Sequence, residues 1–273
     1  MYRLLLAATL LICSLSLSAK SYDDESLYAL LDNIWQYELS VSPLLASRQG
    51  STDLAHALPD ISPEGLSKQH KHWLKFQNEL THYNRDNLSQ DAFIALLMQR
   101  YRLANYIDQY TYRSFLVPIN SEYGFHSAMA SLPNLSTFKR VADYEAYISR
   151  LQALKPYFDQ QIDYMKQALA EGYTQPKAVL KGFEDSISTY LVKDEKTSSF
   201  YGPFTRFPDY FSNSEKTALK EKGQQAVRNF VLPAYQAFYD FMVNDYIPGA
   251  RNDIAAEKWP DGVNYYANRA KHY

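Results

Sequence analysis

From Tyr22 onward, apolar residues recur at intervals of three and four and almost nowhere alternate. That spacing puts them on one face of a helix with about 3.6 residues per turn, whereas a half-buried strand needs a period of two. Leu27, Leu30, Leu31, Ile34 and Trp35 open the series, and Leu66, Trp73, Phe76, Leu80 and Tyr83 continue it. Phe93, Leu97, Tyr101 and Ala104 form the next stripe, then Tyr144, Ile148 and Leu151, then Phe158, Ile162, Met165 and Leu169. Val179, Leu180, Phe183, Ile187 and Leu191 follow, and Leu219, Ala226, Phe230, Phe238, Met242 and Tyr246 close the list. No alternating run, low-complexity tract or fixed-period repeat interrupts it. The pattern dictates an all-α fold, an irregular array of long antiparallel helices.

Punctuation between the stripes supports this division. Ser21 with Asp24, and Ser212 with Glu215, read as capping boxes, in which a hydroxyl and a carboxylate satisfy the first free N–H groups of a helix. Ser42-Pro43 and Ser62-Pro63 read as a serine cap with proline in the first helical position, and Ser89 caps the helix after it. Gly50 and Gly172 suit left-handed helix ends. A helix is expected to start at Thr174-Gln175-Pro176, and Pro233 is expected to kink a later one because it lacks a donor and crowds the preceding turn. Periodicity fails over residues 115–137 and again over 193–211, giving two long aperiodic loops. Phe115, Leu116, Val117, Ile119 and Phe125 are too apolar to stay wet, so the first of these should pack against the helices.

The chain has 273 residues, 46% of them hydrophobic, which suffices for a large core. Its 28 basic and 30 acidic residues nearly cancel, so there is no electrostatic case for nucleic acid or an acidic membrane as partner. Arg3 followed by the apolar stretch 4–17 and the small residues Ser16-Leu17-Ser18-Ala19 reads as a signal peptide, cleaved near Ala19. As a membrane anchor, the alternative, that stretch falls short of the roughly twenty residues a span needs. Ile12 before Cys13 argues against lipid attachment there. The mature product, residues 20–273, is therefore expected in the bacterial periplasm or outside the cell, without a stable membrane span. Cys13 leaves with the signal, so no disulfide or cysteine–metal chemistry remains.

Motifs for chemistry are sparse. The six histidines contain no His-Glu-x-x-His, and His70 and His72 diverge by about 200° around a helix. No nucleophile elbow and no glycine-rich phosphate loop occurs. Asn87-Leu88-Ser89 and Asn134-Leu135-Ser136 match glycosylation acceptors, but each serine also reads as a helix cap. No catalytic residue, metal ligand or cofactor site is assigned within this chain.

Four residues stand out as candidates to line a substrate cleft: His126 beside Gly124-Phe125 in the first loop, Arg251 after the Pro248 stop, and Tyr265 with Tyr266 opening the last helix. Arginine can fork onto a carboxylate and tyrosine can donate to a developing oxyanion, as peptide handling requires. The same residues could equally be an ion-paired arginine, core tyrosines and a capping histidine.

A series of segments, in order, carries a resemblance. It comprises Leu39-Ser40-Val41-Ser42-Pro43-Leu44-Leu45-Ala46, Leu58-Pro59-Asp60-Ile61-Ser62-Pro63-Glu64, and the run Val141-Ala142-Asp143-Tyr144-Glu145-Ala146-Tyr147 through Leu151. It continues with Glu171-Gly172-Tyr173-Thr174-Gln175-Pro176, Val231-Leu232-Pro233-Ala234-Tyr235 and Asp245-Tyr246-Ile247-Pro248-Gly249-Ala250-Arg251. Pro260-Asp261-Gly262-Val263-Asn264-Tyr265-Tyr266 ends it. The series resembles the bacterial domain of unknown function 885. The resemblance implies a helical, often exported protein about twice this length that looks like a zinc metallopeptidase. Its metal motif, His-Glu-x-x-Pro-Gly-His, lies beyond a segment like Lys271-His272-Tyr273, so no ligand or catalytic glutamate carries over to any position here. The chain is thus expected to be the amino-terminal portion of such a protein, truncated before the metal-binding half and not catalytic alone. Zinc is expected only in full-length relatives, with peptides as substrates. The alternative is a stand-alone periplasmic binding or scaffold protein, monomer or dimer, with an aromatic groove.

Overall fold

The computed structural model describes residues 23–272; the signal segment, Cys13 and the Ser21 cap lie outside them. Four helices come first: α1 (Asp24–Val41), α2 (Pro43–Arg48), α3 (Pro63–Leu80) and α4 (Gln90–Thr111). Leu27 and Ile34 of α1, Trp73, Phe76 and Leu80 of α3, and Ala92, Leu96 and Leu103 of α4 share one buried cluster. Ser62 Oγ accepts from the Gly65 N–H at 3.0 Å and Ser89 Oγ from the Ala92 N–H at 3.3 Å, so both caps form. Ser42 makes no such bond, and Pro43, which needs no acceptor, alone marks the start of α2. Gly50 follows α2 with φ +84°.

The inward stripe of α4 differs from the expected one. Ala92, Leu96, Gln99 and Leu103 face the core, while Leu97 and Tyr101 are 47% and 46% exposed. Phe93, Ile94, Leu96, Leu97 and Met98 make the helix apolar nearly all round, so its own period could not choose a face. Packing against α1 and α3 chose it.

The stretch 115–137 is more regular than its sequence suggests. A 3-10 turn (Ser114–Leu116) leads to α5 (Phe125–Ala130) and α6 (Leu132–Leu135), and Leu116, Ile119 and Phe125 are buried against the helices. Then α7 (Val141–Gln152) and α8 (Leu154–Ala170) run nearly end to end, and Gly172 terminates α8 at φ +75°. The helix expected from Pro176 through Leu191 is instead split. A 3-10 turn (Lys177–Val179) gives way at Gly182, φ +78°, to α9 (Phe183–Ser188). Two further 3-10 turns, Glu195–Thr197 and Ser199–Thr205, occupy the second aperiodic stretch and bury Phe200, Tyr201 and Phe204.

The capping box at Ser212 and Glu215 starts α10 (Asn213–Ala226). Helix then continues through a π turn (Val227–Val231), α11 (Leu232–Phe241), a second π turn (Met242–Tyr246) and α12 (Ile247–Gly249). Each π turn stands just before a residue–proline pair. The N–H of Leu232 bonds to Val227 O, and that of Ile247 to Met242 O, each reaching five residues back. Widening the turn makes room upstream of Pro233 and Pro248, rings that would otherwise crowd the preceding carbonyls. The disturbance expected at Pro233 therefore takes the form of a π turn, and the helix ends only after Gly249. The inserted residue also shifts the face: Val227 and Val231 are fully buried and Phe230 only partly. The last element is α13 (Gly262–Lys271).

Two faces of α8 organise the whole. Phe158, Ile162 and Met165 enter the large core shared with α5, α7, α9, α10 and α11. Tyr164 and Ala168 enter a smaller cluster with Leu116, Tyr173 and Trp259, against which α13 packs. Among the described residues there is no strand ladder, only isolated bridges Ile119–Gly124 and Pro176–Arg251. The protein is all-α. No helix among the described residues is long and apolar enough to cross a membrane.

Candidate functional site

A cavity of about 330 Å³ opens at the seam where α1, α3 and α4 meet α8 and the turn at Ser114–Leu116. Five aromatic residues line it, Trp73 from α3, Tyr106 and Tyr110 from α4, Phe115 from the turn and Tyr164 from α8, together with the polar Ser42, Gln69, Gln109 and Gln161. The rings brace one another, Trp73 against Tyr106 at 5.2 Å between centroids and Phe115 against Tyr164 at 5.0 Å. Tyr164 is fixed from behind, its hydroxyl donating to Ile61 O at 2.6 Å. His70 lies flat on Tyr110 with centroids 4.3 Å apart.

Two polar atoms of the lining residues are sealed from water. His70 Nδ1 and Ser114 Oγ are buried without a hydrogen bond. Burial also pushes the His70 imidazole below its ordinary range, so the ring is neutral at pH 7. The carboxylate in the lining, Glu38, is spoken for: it accepts from Arg102 at 2.7 and 2.9 Å and from the Tyr106 hydroxyl at 2.7 Å. Burial above all, then the hydrogen bond to Glu38, raises the Tyr106 phenol, which stays a donor. The arrangement can enclose a flat apolar group, and its one carboxylate is already paired. A wider depression of about 410 Å³, between α8 and the helix carrying Asp240 and Asp245, also has Asp159, Asp163 and Lys166 in its lining and lacks such walls.

The four candidates from the sequence do not converge on this cavity. His126 is 1% exposed on α5, with Nε2 3.0 Å from Ser186 Oγ. The Ser186 hydroxyl gives its proton to Phe183 O at 2.6 Å, so the histidine must be the donor of the pair. An imidazole that donates cannot also deprotonate that serine. Burial lowers His126 to about 4, and it borders a separate cavity of about 180 Å³. Arg251 is a brace: Nε donates to Thr174 O at 3.0 Å and Nη1 to Ala255 O at 2.7 Å, with the guanidinium 5.4 Å from the Trp259 ring centre. Tyr265 packs in the same region, 4.8 Å from Trp259 and 6.3 Å from Tyr173 between ring centres. Tyr266, the next residue, is 64% exposed. Arg251 and Tyr265 thus meet around Trp259, while His126 belongs to the other core and Tyr266 faces solvent.

The cavity residues were hidden in stripes that look like ordinary core. The one available signal was His70, a polar residue in the half-apolar face that holds Leu66 and Trp73. The tie between α13 and α4 was equally hidden. Asp108 Oδ2 accepts from Asn268 at 2.6 Å and lies 2.9 Å from His272 Nε2. Burial alone would raise Asp108, but these hydrogen bonds and nearby Lys271 outweigh it and hold its carboxyl below the ordinary value.

A solved structure described as a putative lipoprotein from Colwellia psychrerythraea has this fold, with a TM-score of 0.73 at 16% identity. The match covers 93% of this chain and 46% of that one, so the chain spans less than half the length of that structure. No curated protein matches it. The segments that run in order from Pro43 onward are matched together, over residues 43–273, by the model of the family described as bacterial protein of unknown function (DUF885), and the chain belongs to that family.

Proposed function

We propose that this chain is the ligand-holding helical portion of an exported, metallopeptidase-like protein, and that it binds peptides without itself supplying the hydrolytic groups. The observation that carries this reading is the cavity walled by Trp73, Tyr106, Tyr110, Phe115 and Tyr164, set at the seam of two buried clusters. Ligand sites combine aromatic walls with polar groups that orient the guest, and this lining has both. The share of the solved neighbour that the chain covers, 46%, supports a role as one part of a larger whole, and the word lipoprotein in its description agrees with export.

Zinc does not fit the residues described here. Among them, no three histidine, cysteine, aspartate or glutamate side chains come together as a metal site would require. Asp108 with His272 is a pair held by hydrogen bonds, without a third ligand. In this reading the hydrolytic groups belong to residues outside those described.

The reading is tested by titrating the purified chain with a mixture of short peptides and following the indole resonances. Shifts at Trp73 with Trp259 unmoved are expected; no shift anywhere would sink it. Sequencing the DNA after the Tyr273 codon for His-Glu-x-x-Pro-Gly-His checks the larger-protein part. The second reading, a stand-alone binding or scaffold protein, draws on the same cavity and on the two buried clusters that meet at it. It requires a sharp thermal transition without aggregation.

A further inference from the structure

We propose that the cavity between α3, α4 and α8 accepts the interior of a peptide, an apolar side chain flanked by uncharged amide groups, and rejects free chain ends. The proposal rests on the peptide-binding reading above and adds which part of a peptide enters.

The selecting atoms are those a guest can touch. His70 Nδ1 and Ser114 Oγ are sealed and take no part, so of the neutral His70 ring Nε2 alone is left. Trp73 and Gln161 line the cavity with only 7% and 6% of their surface exposed, and each keeps an unsealed polar atom without a partner among the described residues. In Trp73 it is the indole N–H, a donor. In Gln161 it is Oε1, an acceptor, because Nε2 already donates to the Tyr157 hydroxyl at 3.0 Å. Gln69 repeats the pattern, with Nε2 donating to Asp60 O at 3.0 Å and Oε1 unengaged among the described residues. Gln109, exposed on α4, has its whole amide unpaired there, the Tyr110 hydroxyl is likewise unpaired, and Ser42 Oγ makes no capping bond. The hydroxyls of Tyr106 and Tyr164 already donate to Glu38 and to Ile61 O. What remains is a set of neutral donors and acceptors, and a peptide group presents one of each, N–H and C=O.

Charge selects against chain ends. Among the described residues no lysine or arginine lines the cavity, so a carboxylate would lose water and meet no cation. Glu38, the one carboxylate, accepts from Arg102 and Tyr106, so an ammonium gains little from it. The rings of Trp73, Tyr110, Phe115 and Tyr164 take the side chain that lies between two amides.

The test uses the purified chain at about pH 6.5, where an α-amino group is charged, with affinities from calorimetry and the Trp73 indole resonance. The probes are N-acetyl-phenylalaninamide, N-acetyl-phenylalanine, phenylalaninamide and maltose. The doubly blocked probe should bind about tenfold tighter than either singly charged one. Gln109→Lys, a change at an exposed residue, should bring N-acetyl-phenylalanine about fivefold closer to the blocked probe, a gain that a folding defect could not produce. Equal binding of the three phenylalanine probes, or a charged one binding tightest, would overturn the proposal, as would an unchanged preference in Gln109→Lys. So would a blocked probe that binds without moving Trp73; all of these leave peptide binding itself standing. Maltose moving Trp73 while no phenylalanine probe binds would assign the cavity to neutral sugars and remove the broader reading as well. Failure of every probe to bind removes both.

Discussion

The guanidinium of Arg150 donates from Nε to the carbonyl of Ala57 at 3.0 Å, across a separation of 93 residues. It also donates from Nη2 to Leu54 O at 2.7 Å and to Ser47 Oγ at 3.0 Å, and the residue is fully buried. Its partners are carbonyls and a hydroxyl, so the cation clamps the segment after α2 onto α7. Burial lowers it to about 10, which leaves it charged at neutral pH.

Replacing it tests the clamp. Arg150→Met fills similar space but removes three hydrogen bonds, leaving Ala57 O and Ser47 Oγ without a partner while Leu54 O keeps the Ala57 N–H, and the loss expected is about 3 kcal/mol. Arg150→Lys should recover only part, because its N–H bonds radiate from a single nitrogen, whereas the guanidinium donates from Nε and Nη2 set apart on a planar fork. Urea midpoints measure both. An unchanged midpoint in Arg150→Met would mean that the segment is held by something else.

Acid stability should depend on His126. Its folded value of about 4 lies below the unfolded value of roughly 6.5. The unfolded chain therefore binds more protons between these limits. The histidine's contribution is complete above about pH 6.5 and is lost as pH falls through 4, a change on the order of 3 kcal/mol. His126→Gln should flatten the stability profile in that window. Denaturant titrations from pH 4 to 7 on both proteins test it; parallel profiles would assign the slope to other groups.

The outer face of α4 carries Ile94, Leu97, Met98 and Tyr101, exposed by 47, 47, 63 and 46% and spaced to form one stripe. In the larger-protein reading this stripe is covered by other parts of the protein. The chain alone should then bind a hydrophobic dye, and Leu97→Glu with Met98→Glu should lower that signal with stability changing by under about 1 kcal/mol. Dye binding that persists in the double variant would place the sticky surface elsewhere.

Gly223 allows α10 to approach the buried ring of Phe204, which a Cβ there would meet at 2.5 Å. Gly223→Ala should cost about 1–3 kcal/mol through overpacking. Gly202→Ala, where nothing lies within 4 Å, is the control and should be nearly neutral. Equal melting temperatures for the two variants would show that Phe204 can move aside.

Element type and much of the punctuation were legible in the chain because they depend on residues within a turn or two. Ser62, Ser89 and the Ser212–Glu215 box cap helices that they themselves begin, and Gly50 and Gly172 take left-handed turns open to any glycine. Tertiary contacts decided the rest. The apolar surface of α4 surrounds the helix, so its neighbours selected Leu96 over Leu97 as core. Gly182 ended a helix whose apolar spacing ran on past it, and the π turns moved the buried face of the long helix by one residue.

The candidate site was the least legible part. Spacing alone puts His70 and His72 on different sides of α3, but only the folded chain provides Tyr110 for one and Tyr37 for the other. Loss of water and of hydrogen-bond partners at His70 and Ser114 belongs to the packing of α1, α3, α4 and α8 together. His126 and Arg251 show the converse. Residue types suited to chemistry became a buried donor and a backbone brace once neighbours claimed their polar atoms. Local sequence determined the helices, since backbone hydrogen bonds close within four or five residues; what each side chain can do was decided by the distant residues that surround it.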